Sequence, residues 1–296
     1  MTDVGRSADL DRARSLPCWQ GRVSLEPLSG GLSNRNYLAR DDAGAWVVRI
    51  AGEVPEHGIV RANDIAASRA ATSAGIAPAL RYAAADVLVI RFIEGRTLTE
   101  ADIRDPVLRP RIVDLVRRAH HEVGRHLRGP AIMFWVFHAL RDYAAQLQGH
   151  PGNADVERLM AIAATLEKAV GPVDLVFGHN DLLPANLIDD GSRLWLIDWE
   201  YAGYGSPLFD LGNLASNAQL DEPAWLDLLA QYHRAAPDAA LLRRADAMRV
   251  ASLLRESLWA RVAGLHRRVA SDFDAYAAAY LGRFEAAHRA YIAAQT

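Results

Sequence analysis

Apolar and polar positions alternate along the first quarter of the chain, which is typical of β-strands. The β-rich runs cover residues 22–29, 36–40, 45–50 and 86–92. Gly30 and Gly31 end the first run, and a DDAG sequence separates the second run from the third, so the pattern predicts two consecutive hairpins. Between the third and fourth runs, residues 59–74 carry apolar side chains at helical spacing, which predicts one helix.

After a linker at residues 93–99, the chain has mainly helical periodicity. The predicted helices cover residues 106–127, 135–148, 154–170, 207–218, 222–234, 238–267 and 271–292. Two short apolar runs at residues 187–190 and 194–198 flank a Gly-Ser pair, which indicates a small hairpin among these helices. The pattern therefore predicts a small sheet-rich part followed by a larger helical part.

Composition and charge exclude several classes of protein. The chain is 51% hydrophobic and 23% charged, which is an ordinary globular balance, and its formal net charge of −3 argues against a general nucleic-acid binder. A single cysteine, Cys18, excludes an intrachain disulfide framework and a cysteine-based zinc cluster. No apolar run approaches the roughly 20 residues that span a bilayer. With a polar start that resembles neither a signal nor a transit peptide, the sequence predicts a cytoplasmic protein without membrane insertion.

Chemically versatile side chains concentrate in residues 178–213, which read GHNDLLPANLIDDGSRLWLIDWEYAGYGSPLFDLGN. Asn186 opens the first strand of the small hairpin and Asp198 ends the second, so we expect both at the same end of the hairpin. Amide and carboxylate oxygens are hard ligands that suit Mg²⁺ shared with phosphate oxygens. Asp181 lies just before the hairpin, where it can orient an attacking hydroxyl or accept its proton.

The spacing H-x-D-x-x-x-x-N followed by I-D-W-E resembles the catalytic signature of the kinase-like phosphotransferases. The whole segment is most similar to the bacterial choline/ethanolamine kinase group of the aminoglycoside phosphotransferase superfamily. The resemblance implies a two-lobed, protein-kinase-like α+β fold. It has an N-lobe at residues 1–92 with a five-stranded antiparallel sheet and one helix, a linker at residues 93–99, and a mostly helical C-lobe at residues 100–296. It also implies ATP and Mg²⁺ as cofactors.

The resemblance also assigns roles within the signature. It makes Asp181 the catalytic base and Asn186 and Asp198 the Mg²⁺ ligands. It makes His179 a structural brace, and Asp210 a scaffold residue that ties down the catalytic loop.

The sequence SGGLSNRNYL resembles the loop that covers the phosphates in this family. Gly30 and Gly31 would let the backbone approach a phosphate, and Ser33 and Asn34 can donate to its oxygens. The same residues also form a common turn, so the two interpretations stay open here.

Arg49 stands where the family normally has a lysine that contacts the α/β phosphates, and Lys168 is the only lysine of the chain. Asp64 stands at the position of the paired glutamate. Arginine offers a fork that suits phosphate, so we predict an Arg49–Asp64 ion pair. The alternative is that both residues are surface charges. The backbone at Arg91, Phe92 and Ile93 is predicted to contact adenine; these three residues occupy the place of the family's lobe linker.

Several residues resemble the family's acceptor pocket, in which aromatic and acidic groups hold an ammonium group. Glu200 and Tyr201 lie two and three residues after Asp198, and Trp259 resembles the pocket tryptophan. Two departures stand out: Glu256 replaces a second pocket tryptophan of eukaryotic choline kinases, and Asn217 replaces a glutamate. The carboxylate of Glu256 can pair with an ammonium group or indicate another amine, and Trp259 as an ordinary core residue stays an alternative.

The resemblance implies ATP-dependent phosphorylation of the hydroxyl of a small amine-bearing acceptor, with choline or ethanolamine first. An aminoglycoside or other antibiotic kinase is the alternative within the same class. A nucleotide-binding pseudokinase that acts as a scaffold or sensor is the alternative from another class, which the missing lysine keeps open. The expected partner is thus a small amino alcohol and not a nucleic acid. The sequence does not indicate an oligomeric state.

Overall fold

The N-terminal part of the chain forms one antiparallel sheet in a computed structural model. The structure describes residues 3–28, 35–266 and 272–295, without the side chains of residues 3–7. The sheet has the strand order β1-β2-β3-β5-β4. Its strands are β1 (Ser24–Leu28), β2 (Arg35–Asp41), β3 (Gly44–Ile50), β4 (Leu80–Ala84) and β5 (Val87–Arg91). The five-stranded sheet and its two consecutive hairpins are therefore confirmed.

Two helices accompany the sheet, and the prediction of only one was wrong. Helix α2 (Arg61–Ser73) is the predicted one, and helix α1 (Asp3–Arg14) precedes the first strand. Helix α1 has few apolar positions, so its periodicity is weak; it is held by Ala13, which is buried against the sheet, and by a salt bridge from Arg12 to Asp86.

The predicted linker contains a strand of its own. Strand β6 (Arg96–Thr97) pairs with β8 (Leu187–Asp189), which in turn pairs with β9 (Leu194–Leu196). The small hairpin is therefore confirmed, but residues 93–99 are not a plain connection. They tie the first sheet to this three-stranded one.

The remaining chain is mostly helical, as predicted. Its helices are α3 (Glu100–Arg104), α4 (Arg109–Arg118), α5 (Gly124–His126), α6 (Val136–Leu147), α7 (Val156–Val170), α8 (Pro207–Asn217), α9 (Glu222–His233), α10 (Ala239–His266) and α11 (Phe273–Ala293). The prediction of one helix at residues 106–127 was wrong in detail: Pro110 fits the first turn of α4, and a π-helical turn at Ala119–Val123 interrupts the regular helix. Strands β7 (Val176–Gly178) and β10 (Gly203–Gly205) pair beside the helices.

Helix α10 forms the centre of the helical part. Its side chains are buried on all faces over most of its second half, which is typical of a core helix. Two of these buried residues, Arg255 and Glu256, are charged. None of the helices in the described part of the chain combines the length and apolar character needed to cross a membrane.

Candidate active site

The loop after β7 is fixed by one carboxylate of helix α8. Ser206 caps this helix by accepting from the Leu208 amide, with Pro207 in the first turn, and this start places Asp210 in the N-terminal turn. Asp210 accepts from the backbone amides of His179 and Asn180, both at 2.7 Å. His120 Nε2 contacts the same carboxylate at 2.8 Å. Asp210 thus has the contacts of the predicted scaffold residue.

His179 joins this loop to the small hairpin. Burial lowers the pKa of the His179 imidazole, so the ring is neutral near pH 7. Its Nε2 lies 2.9 Å from the Ile197 carbonyl, to which it donates. These contacts are those of the predicted structural brace, one residue before Asp198.

The hairpin brings Asn186 and Asp198 to one end, as predicted. Leu187 pairs with Leu196, and the Ile197 amide donates to the Asn186 carbonyl at 3.0 Å. Asn186 Nδ2 donates to the Asp181 carbonyl at 2.9 Å, so the amide nitrogen is engaged and Oδ1 is the atom left for a ligand. Asp198 has a left-handed backbone conformation, with φ of 66°, and its side chain is 31% exposed. The predicted catalytic and metal-binding residues therefore lie together at the end of the hairpin, and this group of Asp181, Asn186 and Asp198 is called the mouth of the site below.

Carboxylates crowd this mouth and repel one another. Burial raises the pKa of the Asp198 carboxyl, Glu200 and Asp64 add to the rise, and Arg49 opposes it. Burial likewise raises the pKa of Asp181, with Arg255 opposing the shift. A divalent cation would relieve this repulsion.

The donor set fits Mg²⁺ that takes few ligands from the protein. Asn186 and Asp198 supply two hard oxygens, and Mg²⁺ commonly completes its shell with phosphate oxygens and water. Within the described ranges, no group of three or more His, Cys, Asp or Glu side chains is arranged to hold a metal ion by itself. The metal-binding roles of both residues stay a prediction.

A buried network of ion pairs connects the first sheet to this mouth. Arg49 Nη2 lies 2.5 Å from Asp64 Oδ2, and Arg49 Nη1 contacts Asp198. Arg61 Nη1 binds both Asp64 and Glu200 at 2.9 Å. The predicted Arg49–Asp64 pair is confirmed, and the alternative of two surface charges is wrong because both side chains are buried.

The network also places residues that sequence reasoning assigned differently or missed. Glu200, predicted as an acceptor contact, pairs here with Arg61, and its contact with an acceptor stays a prediction. Arg61 itself was not predicted, although it lies three residues before Asp64 and therefore on the same helix face.

A narrow cleft of about 20 Å³ opens beside Arg49 and Asp198. Its other walls are mainly apolar, and they include Ala77, Leu80, Ile90 and Ile197. These apolar residues were not predicted as site residues, because an apolar residue that faces a cleft looks like a core residue in a sequence. The cleft joins an apolar surface to the charged mouth, which suits a flat base attached to phosphates.

The predicted adenine-contacting backbone is partly engaged elsewhere. The Arg91 amide donates to the Ala79 carbonyl at 2.8 Å, and the Phe92 amide donates to the Ala45 carbonyl at 3.0 Å. Both amides are therefore used by the sheet, and Ile93 and the carbonyl groups stay candidates. The predicted phosphate-loop residues Gly30, Gly31, Ser33 and Asn34 lie outside the described residues.

The predicted acceptor residues lie next to one another. Trp259 Nε1 donates to the Tyr201 hydroxyl at 2.9 Å. Glu256 Oε2 accepts from the Tyr276 hydroxyl at 3.1 Å, and its Oε1 accepts from Arg255 Nη1 at 2.6 Å. Trp259 is buried in this cluster, as a core residue would be, and its contact with an acceptor stays a prediction.

Arg255 links this cluster to the predicted base. Its Nη1 lies 3.2 Å from Asp181 Oδ1. Sequence reasoning did not single out Arg255, although an adjacent Arg-Glu pair within the apolar run ASLLRESLW was an available signal. Asn217, the other departure from the eukaryotic pattern, is buried and accepts from the Tyr280 hydroxyl at 3.0 Å.

The antiparallel sheet and the helical part together have the fold of the protein-kinase-like class. The family model for choline/ethanolamine kinase matches residues 25–232. The chain belongs to the choline/ethanolamine kinase family.

Individual relatives agree with this assignment. The chain is 29% identical over 213 residues to the protein LicA of Haemophilus influenzae, covering 69% of this chain and 61% of LicA. It is 28% identical over 211 residues to ethanolamine kinase 2 of Mus musculus, covering 67% of this chain and 54% of that enzyme. The matches thus span little more than half the length of these two relatives. A choline/ethanolamine kinase family protein from Mesorhizobium loti has a similar structure, with a TM-score of 0.78, 28% identity and coverage of 95% and 94% of the two chains.

Proposed function

We propose that this protein transfers the γ-phosphoryl group of ATP to the hydroxyl of a small amine-bearing acceptor, with Mg²⁺ as the metal cofactor. Choline and ethanolamine are the first acceptors to test, because the family is named for their kinases. The nucleotide would bind between an N-lobe of residues 1–92 and a C-lobe of residues 100–296, joined by residues 93–99.

One observation carries the proposal: Asp181, Asn186 and Asp198 meet at a single mouth, and Arg49 faces them from the sheet. A pseudokinase does not need all three oxygen-bearing side chains at that place. The narrow cleft beside the mouth offers mainly apolar walls next to Arg49 and Asp198, which is the combination that a base attached to phosphates needs.

Four residues of the chain would divide the positioning of the reactants among them. Asp181 accepts the proton of the acceptor hydroxyl while that oxygen bonds to the γ-phosphorus and the bond to the β–γ bridging oxygen breaks, which releases ADP. Arg49 brings a permanent positive charge towards the phosphates, while Asp64 and Asp198 hold its two terminal nitrogens. Asn186 and Asp198 would hold Mg²⁺, which neutralises developing charge on the phosphate oxygens when bound.

The raised pKa of Asp181 suits a base that works near neutral pH. Burial raises this pKa and Arg255 limits the rise, so the carboxyl is a stronger base than an exposed aspartate and still ionises. Little covalent chemistry is asked of the protein, since alignment of the hydroxyl with the phosphate supplies most of the rate.

The test is acceptor-dependent ADP release by the wild type and by Asp181→Asn. We expect the variant to lose turnover by a factor of about 10² or more and to bind Mg-ATP almost as the wild type does, because asparagine keeps the shape but accepts no proton. Asp11→Asn, an exposed change in helix α1, is the matched control and should keep full activity. Turnover of Asp181→Asn at the wild-type rate would refute the role of this carboxylate.

A further inference from the structure

Arg255 is a buried cation that contacts two of the predicted acceptor residues, Glu256 and Tyr201, and the predicted base. It lies in helix α10 and is 2% exposed. Its Nη1 is engaged by Glu256 Oε1 at 2.6 Å and by Asp181 Oδ1 at 3.2 Å. The guanidinium carbon lies 4.6 Å from the centre of the Tyr201 ring, a cation–π distance.

The other edge of this guanidinium has unused donors. Arg255 Nε and Nη2 are buried and have no hydrogen-bond partner among residues 3–28, 35–266 and 272–295. A buried charged donor without a partner costs folding free energy, and a hydrogen-bond acceptor from a bound ligand would remove that cost.

Nε and Nη2 together form the edge that binds a carboxylate through two parallel hydrogen bonds. The same chain shows this geometry where Arg12 Nε and Nη2 donate to the two oxygens of Asp86, at 3.0 and 2.9 Å. Arg255 therefore presents a carboxylate-binding edge on the same planar group that contacts the predicted base.

The aromatic rings of the pocket already have partners on their faces. Arg255 lies over Tyr201, and His57 stacks on Trp259 with a centroid distance of 5.1 Å and an interplanar angle of 26°. A quaternary ammonium group needs such faces, and it would also meet the fixed positive charge of Arg255. The pocket is thus poorly built for a purely cationic acceptor.

A negative partner for an amine is nevertheless present. Each oxygen of Glu256 accepts one hydrogen bond from the protein, and an ionised carboxylate has about four acceptor positions, so it retains capacity for an ammonium group. Asp181 is 15% exposed, which keeps the site open to solvent at the reacting position.

We propose that the acceptor is a small hydroxylated amino acid, and that the Nε/Nη2 edge of Arg255 binds its carboxylate. The inference rests on the proposed function and narrows its acceptor class. The acceptor hydroxyl lies at Asp181, the carboxylate on Arg255 and the ammonium group at Glu256. Asp181 contacts the same guanidinium group whose Nε/Nη2 edge would bind the carboxylate. The hydroxyl and the carboxylate of the acceptor must therefore be joined by a short carbon chain. The transfer itself is unchanged: the hydroxyl oxygen gains the phosphoryl group and its proton passes to Asp181.

The test uses acceptor pairs that differ only by a carboxylate. L-serine is compared with ethanolamine, and L-homoserine with 3-aminopropan-1-ol, by ADP release with Mg-ATP and the wild-type protein. We expect kcat/KM to be higher for the carboxylate-bearing member by about 10²-fold or more in at least one pair, because the analogue without it leaves buried donors unpaired. A preference for ethanolamine and 3-aminopropan-1-ol would overturn the inference and leave the proposed function standing. ADP release with none of these compounds and none with choline would contradict both.

Arg255→Lys then tests which residue reads the carboxylate. A lysine cannot make two parallel bonds, so the preference between the two members of a pair should shrink at least tenfold, mainly through KM of the amino acid. Arg249→Lys is the matched control in the same helix, where the arginine donates to the Leu220 carbonyl; it should keep the preference. An unchanged preference in folded Arg255→Lys would overturn the assignment, and the wild-type comparison decides the acceptor class even if that variant does not fold.

Discussion

The Arg49–Asp64 pair gives the most informative perturbation of the nucleotide side. Arg49 uses two different nitrogens, one for Asp64 and one for Asp198. Lysine is shorter and has a single ammonium group in place of the planar guanidinium. Arg49→Lys therefore loses one of two charge-assisted hydrogen bonds, which are worth about 1.5–3 kcal/mol each when one partner is charged. The loss in free energy of unfolding stays below the full cost of breaking a buried ion pair, because Asp64 keeps its ion pair with Arg61.

Asp64→Glu should recover part of this loss. The added methylene lengthens the arm that must reach the shorter cation, although it costs about 1–3 kcal/mol of overpacking when introduced alone. We expect a favourable coupling free energy of about 1 kcal/mol in the double-mutant cycle, within the range found for contacting residues. ADP release should show the same ranking of the four proteins.

The free energies of unfolding are measured by urea denaturation followed by circular dichroism. Arg12→Lys is the matched control, since Arg12 makes a bidentate pair with Asp86 at the surface and its change should cost less than about 1 kcal/mol. Effects of Arg49→Lys and Asp64→Glu that add to within about 0.5 kcal/mol would refute the reasoning, because coupled residues are not additive.

Two further outcomes follow from the mouth of the site. Asp198→Ala should lose Mg²⁺-dependent nucleotide binding and several kcal/mol of transition-state stabilisation. Isothermal titration with and without Mg²⁺ measures the binding, and normal Mg-ATP binding would contradict the ligand assignment. Because burial raises the pKa of Asp181, and the base must be deprotonated, kcat/KM should fall on acidification at a pH above the usual aspartate range. A pH–rate profile that stays flat down to pH 4 would contradict that role.

Hydrophobic periodicity predicted most elements of this fold because each depends on local spacing. Helices α6 and α7 and the small hairpin have strong patterns, and all three are present. Helix α1 and strand β6 escaped prediction, because the first has few apolar positions and the second is only two residues long. Elements of this kind are held by contacts with distant parts of the chain.

The candidate site was predictable where one short segment carries it. Asp181, Asn186 and Asp198 follow a recognisable spacing, and their common location follows from one hairpin. Arg255 contacts Asp181, which lies 74 residues away along the chain, and Arg49 contacts Asp198, which lies 149 residues away. No spacing rule indicates such pairs, so their partners became apparent only from the folded chain.

Phosphorus NMR of a reaction mixture tests the central claim most directly. Wild-type protein is incubated with Mg-ATP and, in separate samples, choline, ethanolamine, L-serine and L-homoserine. We expect a new phosphomonoester signal that grows with the ADP signals, requires one of these acceptors and is absent with Asp181→Asn. ATP that stays intact with every acceptor, in a folded protein that binds Mg-ATP, would contradict phosphoryl transfer and favour a nucleotide-binding scaffold.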